Sequence, residues 1–255
     1  MKDNMPIIEG ETFELIQGYT DEEGTVHKDF EVIEMTGADE EAISKNEIKH
    51  NGAKILRTII ERCCVRIGSI HKADVKRDKW IEVIQNLSVG DQDFIVLKIR
   101  EISIGTVIES SYECPNPDCK CKITNEVDVD ELEVLPYKGV SKIPFELPKG
   151  IKDKDGNIMK KGHLRLPNGL DREVLDGVIR KNVGRANTLM LARCITDLEG
   201  KGVYDEVIRN LTIKDRNYLL KLLDEHKFGI DMTMTVVCPS CDEEFRANLN
   251  ATNFI

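Results

Sequence analysis

Much of this chain is written twice, and a duplicated chain is expected to fold as two copies of one module. Residues 13–43 (FELIQGYTDEEGTVHKDFEVIEMTGADEEAI) lie over residues 145–175 (FELPKGIKDKDGNIMKKGHLRLPNGLDREVL) at a constant offset of 132, with ten identities in 31 positions. Phe13, Glu14, Leu15, Gly18, Gly24, Gly37 and Asp39 are among the residues that recur. Arg62-Cys63 then answers to Arg193-Cys194, and residues 80–115 lie over 204–239 at an offset of 124 with ten identities in 36 positions. Composition alone would give about two identities in each segment. The offset becomes 122 where Cys119 meets Cys241. The fold class expected is α+β, in two homologous modules spanning 1–136 and 137–255, with a Pro- and Gly-containing linker at 135–144. The modules are expected to meet on a pseudo-twofold axis, as duplicated halves often repeat a dimer's self-complementary contact.

Each module reads in the same order. An extended segment, FELI or FELP, leads through an Asp/Gly turn (DEEGT, DKDGN) into a second strand, which is a hairpin signal. The turns TGAD and NGLD follow, where Asp39 and Asp171 are expected to be helix N-caps. Ile55, Ile59 or Ile60, Cys63 and Ile67 recur at helical spacing, as do Leu189, Leu191, Ala192 and Ile195 in the second copy. The next helix is predicted over 87–105, with Ser88 as cap, Asp91 three residues on and Gly105 as stop. Its copy is predicted over 211–229, with Thr212, Asp215 and Gly229 in those places. Each module ends on strand, Cys-Pro turn, strand: TVIESSYECPNPDCKCKITNEVDV and MTMTVVCPSCDEEFRANLNA.

Those turns carry the chemistry. The eight cysteines are Cys63, Cys64, Cys114, Cys119, Cys121, Cys194, Cys238 and Cys241. The opening MKDNMPIIEGETFELI has no basic-then-apolar signal sequence, so cytoplasmic synthesis is expected, and in a reducing compartment close cysteine pairs favour metal over disulfide. CPSC and the longer CPNPDC are knuckles that offer two thiolates each, and structural zinc takes four. One knuckle per module points to a shared Zn²⁺ site made by Cys114, Cys119, Cys238 and Cys241. A second arrangement keeps one site per module, from Cys63, Cys114, Cys119 and Cys121 and from Cys194, Cys238, Cys241 and His226. Against it, Cys63, Cys64 and Cys194 read more simply as small buried helix residues. Knuckles that have lost their metal are a third possibility.

A zinc with four thiolates has no open position for water, so it would be structural and not catalytic. No nucleophile elbow, P-loop or H-E-x-x-H occurs. His27, His50, His71, His163 and His226 have no counterparts in the other module and read as surface residues, so no enzyme is expected. The alternative function is a zinc-ribbon nucleic-acid-binding regulator. It is disfavoured by the net charge of -10 and by the neutral or acidic flanks CKITNEVDVDELEV and CDEEFRANL. No run of apolar residues is long enough for a membrane span.

The motifs EMTGADEEAI (34–43), RCCVRIG (62–68), LSVGDQDFIVLKIREISIG and YECPNPDC, with LPNGLDREVL, ARCI, LTIKDRNYLLKLLDEHKFG and VCPSC in the second copy, form a series. In that order the chain resembles the contractile-tail bacteriophage baseplate (hub) assembly proteins of the T-even type base plate family, and the related tail assembly chaperones of myophages, with the module duplicated. The resemblance implies a non-enzymatic role in tail morphogenesis beside the central hub or tape-measure protein, in the host cytoplasm during assembly or in the virion tail and baseplate. It implies phage tail proteins as partners, held by helix-in-groove or edge-strand contacts. MTMTVV and TVIESSY are the candidate edges, although core strand is the simpler reading of both.

Overall fold

The computed structural model describes residues 10–152 and 156–249. Alternating apolar residues build the first hairpin from β1 (Glu11–Thr20) and β2 (Val26–Val32). Two helices follow, α1 (Gly37–Ile43) and α2 (Gly52–Cys63), and then β3 (Cys64–Ile67), the short β4 (Ile70–His71), α3 (Arg77–Asn86) and α4 (Val89–Ile104). The half closes on a second hairpin of β5 (Val107–Glu113) and β6 (Lys122–Asp128), with β7 (Val134–Leu135) after it. The C-terminal half runs in nearly the same order: β8 (Ile143–Lys152), β9 (Ile158–Leu164), α5 (Gly169–Ile179), α6 (Val183–Cys194), β10 (Ile195–Leu198), α7 (Asp205–Arg209) and α8 (Ile213–Glu225). It ends on β11 (Gly229–Ile230), β12 (Thr233–Val237) and β13 (Glu244–Asn248). Part of the second hairpin's turn, DKDGN, lies outside the described residues. No helix is long and apolar enough to cross a membrane among them.

The sheets are antiparallel, in the orders β1-β2-β3-β4 and β10-β9-β8. The N-terminal core places Phe30, Ile59, Ile60, Trp80, Ile84 and Ile95 between its sheet and helices, and the C-terminal core does the same with Ile143, Leu164, Leu191, Ile208 and Leu219. Both helices predicted to run past their RC pair stop at the cysteine. Ile67 lies in β3 and Ile195 in β10, because the chain turns back to pair with the first hairpin of its half.

The recurring aspartates have two jobs. Asp39 and Asp171 are not the N-caps; Thr36 and Asn168 hold that position, and each aspartate sits at the third helical residue of a reciprocal capping box. From there each aspartate reaches the arginine of the RC pair, Arg62 or Arg193, and Asp171 also takes Arg165 at 2.6 Å. Asp91 and Asp215 stand at the matching position beneath Ser88 and Thr212, as expected, but they also pin a bulge. Asp91 accepts the backbone N–H groups of Ile16 (2.8 Å), Gln17 (3.0 Å) and Gly18 (3.1 Å), and Asp215 that of Lys149 (2.7 Å). The strands shift register there, and Gly18 (φ +95°) and Gly150 (φ +77°) supply the left-handed backbone that such bulges need. α4 stops at Gly105 as predicted, but α8 ends at Glu225, before Gly229. Gly229 serves close approach instead: a Cβ there would meet Gly90 Cα at 2.8 Å.

Burial drives the Asp171 carboxyl upward, but the Arg165 and Asn168 hydrogen bonds and the Arg193 guanidinium outweigh it, leaving its pKa below the ordinary value of 3.8. A depressed folded pKa contributes stability that is fully present above the unfolded pKa and is lost as pH falls through the folded one. Urea midpoints for the wild type and Asp171→Asn are therefore expected to differ most at neutral pH and to converge as the pH drops below about 3.8. A gap that widened on acidification would refute this.

The halves do not share one twofold axis. α5 packs against α2, α3 and α4 of the N-terminal half, whereas α1, its counterpart in sequence, packs on α2 and makes no comparable contact with α6, α7 or α8 among the described residues. The cross-half seam has a backbone bridge between Ser88 and Asn168, a Val89 N–H bond to Pro167 O (3.1 Å) and a Gly169 N–H bond to Leu87 O (3.0 Å). Arg172 pairs with Asp93 at 2.6 Å, and Glu173 forms an ion pair with Arg57 (3.0 Å) and accepts from Gln85 (3.1 Å). β7 also pairs with β11, so the stretch read as a linker begins inside a cross-half ladder.

Candidate metal centre

Hairpins β5–β6 and β12–β13 lie apart from the two main sheets and meet each other. Between them is a small apolar layer with Ile123, Val236 and Ala247, and a second layer with Ile108, Val127 and Leu249 carries it toward Leu97 of α4. The tips of both hairpins have the same local build. Cys114 N–H bonds Cys121 O, and Cys238 N–H bonds Glu243 O, both at 2.9 Å. The residue after the second cysteine of each knuckle, Lys120 or Asp242, adopts positive φ (48° and 57°), which swings the chain so that both thiols face one way.

The four knuckle thiols converge. The Sγ atoms of Cys114, Cys119, Cys238 and Cys241 all lie within 4.8 Å of one another. Cys114 and Cys241 are 3.6 Å apart, and Cys119 and Cys238 are 3.8 Å apart. Zn–S bonds of about 2.3 Å in a tetrahedron put sulfurs about 3.8 Å apart, so these two separations match those of a four-thiolate zinc site. Disulfides, at about 2.05 Å, are far shorter, and all eight cysteines are free. The two cross pairs exchange with each other when the halves are swapped, so the expected twofold relation holds locally here and not in the helical bodies.

The electrostatics are uneven. Burial pushes the Cys114 thiol up to about 12, with the neighbouring thiols adding to it. The Ser240 and Cys241 backbone N–H groups, the former more strongly, draw Cys238 down to about 7. Asn116, which sequence spacing alone did not single out, aims its amide at Cys241 Sγ (3.9 Å) and accepts from Asp118 N–H.

The other candidates lie elsewhere. Cys63 and Cys64 sit in the N-terminal core and Cys194 in the C-terminal one, each pushed up to about 12, chiefly by burial. Cys121 Sγ lies 3.3 Å from Ser240 Oγ and 3.4 Å from Lys122 O. His226 Nδ1 bonds Leu222 O within its own helix (2.9 Å). The structure thus brings together the shared set and not the two sets confined to single halves. One histidine read as a surface residue is buried: His27 is 6% exposed, stacked on Tyr19 and bonded to Asp21 (3.0 Å). Its partner Asp21 is a turn residue, which is why spacing did not reveal the pair.

No curated protein and no solved structure matches the chain. The family model described as T4 bacteriophage base plate protein matches residues 25–253, which takes in both halves and all four clustered cysteines. With the match covering most of its length, the chain belongs to the T4 bacteriophage base plate protein family.

Proposed function

We propose that this protein is a non-enzymatic morphogenesis factor of the phage tail, assisting or forming part of the central hub at the tail tip, and built from two copies of one module that share a single structural zinc. The match to the base plate family over residues 25–253 carries the tail role, and the convergence of two thiols from each half to within 4.8 Å carries the shared metal. The recurrence of hairpin, two helices and return strand in both halves supports the duplication, with the boundary near 136/137. Cys114, Cys119, Cys238 and Cys241 would hold the ion as thiolates, and the ion would supply a cross-link between the hairpins with no position left for water. The partners in this reading are other tail proteins, the hub or tape-measure protein foremost, met in the host cytoplasm and, for a retained component, in the virion.

Native mass spectrometry of protein purified without chelator is expected to give one zinc per chain. Two zincs, or none, would overturn the shared site. Phage lacking the gene are expected to make no complete tails, and normal tails would remove the morphogenesis role.

A further inference from the structure

The seam between the halves is directional, and that leaves one donor and one acceptor surface open. Within the chain, the start of α5 is the donor and the corner joining α3 to α4 is the acceptor. Gly169 is buried because the seam demands it: a Cβ there would meet the Gln92 side-chain nitrogen at 1.9 Å, and Gln92 is itself held by Ile84 O (2.9 Å). Its sequence counterpart, Gly37, is exposed, and a Cβ there would meet nothing within 4 Å. Neither glycine has positive φ, so neither backbone conformation calls for glycine.

The acceptor's counterpart is equally bare. At the 124-residue offset, Val89, whose backbone N–H is held by Pro167 in the seam, answers to Ile213, which is 71% exposed. Ser88 is buried, whereas Thr212 is exposed. The charges also suit. Glu41 stands where Glu173 does, and Arg209 stands where Gln85 binds Glu173. Glu40 and Asn217 replace the Arg172–Asp93 pair, so neither of these two seam pairs becomes a like-charge pair.

We propose that the chain binds a second copy of itself head to tail, with the first turn of α1 seated on the α7–α8 corner of the next molecule as α5 is seated on the α3–α4 corner within one molecule. This rests on the duplicated-module reading above. Such a heterologous contact does not close on itself as a twofold dimer does; it continues into a ring or an open file of subunits.

Sedimentation of the holoprotein at ~10–500 µM tests it, in the concentration range where small interfaces act. The mass is expected to rise above 28.9 kDa with concentration and to pass beyond a dimer. Gly37→Trp, which blocks the donor, and Ile213→Asp, which spoils the acceptor, should each remain monomeric with unchanged melting temperature. Mixing the two variants should restore a 1:1 dimer and nothing larger, since each retains one intact surface. A wild type that stays at 28.9 kDa throughout overturns the proposal, as does wild-type association with no dimer from the mixture. Either failure leaves the one-zinc result untouched, so self-assembly and the shared-site reading are separable.

Discussion

Removing the proposed zinc, by strong chelator or by Cys238→Ser, is expected to release both terminal hairpins while the helical cores stay folded. A two-stranded hairpin is marginal alone in water, and here the apolar contribution at the tips comes from one thin layer of Ile123, Val236 and Ala247 edged by the half-buried Tyr112, Met234 and Phe245. Structural zinc in small finger domains contributes apparent free energies of about 10–16 kcal/mol, far more than such a layer provides. Hydrogen exchange should show protection in β5, β6, β12 and β13 falling by about 100-fold or more, with far-ultraviolet helix signal nearly unchanged. Cys121→Ser is the control: its sulfur faces Ser240 and Lys122, so zinc content and exchange should match the wild type. Protection that survives both chelator and Cys238→Ser would mean that packing alone holds the hairpins.

The second large effect is expected at Asp91, which is fully buried and bonds three consecutive backbone N–H groups of the β1 bulge and the Ser88 hydroxyl. Asp91→Ala strands those donors, and a buried unsatisfied group costs about 1–3 kcal/mol, so a loss of about 4 kcal/mol is expected. For a chain of this size that lowers the melting temperature by about 10 °C. Asp91→Asn should fall between, because its oxygen can still serve Ile16 and Gln17 but its nitrogen cannot accept from Gly18. The pH signature is the reverse of that at Asp171. Burial raises the Asp91 pKa above 3.8 despite the N–H groups, so its contribution is fully present below the unfolded pKa and is lost as pH rises through the folded one. Denaturation of wild type against Asp91→Asn should therefore favour the wild type more as pH falls toward 4. An Asp91→Ala loss below about 1 kcal/mol would show that the bulge holds itself.

The parts legible in the sequence were those fixed by local chemistry. Ser88 and Thr212 cap because a hydroxyl three residues before an aspartate has few better uses, and Gly105 stops α4 because the chain leaves the helix there at positive φ (95°), which glycine adopts without Cβ strain. The knuckle pairs announced thiols aimed one way, and counting two per knuckle against four per zinc put forward, among other arrangements, a set whose sulfurs lie within 4.8 Å of one another. What escaped was set by tertiary contact. Thr36 and Asn168 displaced Asp39 and Asp171 from the caps because the aspartates are required by Arg62 and Arg193, far away in sequence. Gly229 looked like a helix stop but answers to Gly90. The directional seam was invisible because α1 and α5 share their motif; only exposure separates Gly37 from Gly169.

The cage also sets a schedule. Cys119 and Cys238 are 119 positions apart, so at about 5–20 residues per second the first knuckle leaves the ribosome several seconds before its partner exists. During that interval Cys114 and Cys119 form half a ligand set, open to oxidation or to capture by a foreign ion. The burial that lifts Cys114 in the finished protein is absent from a nascent hairpin. The N-terminal core, complete by Ile104, can fold in the meantime and hold the waiting hairpin at one place on its surface. Closure of the proposed zinc site would then come late for the newborn chain, and a chain stopped before Cys241 would carry a hairpin whose two thiols lack their full set of partners.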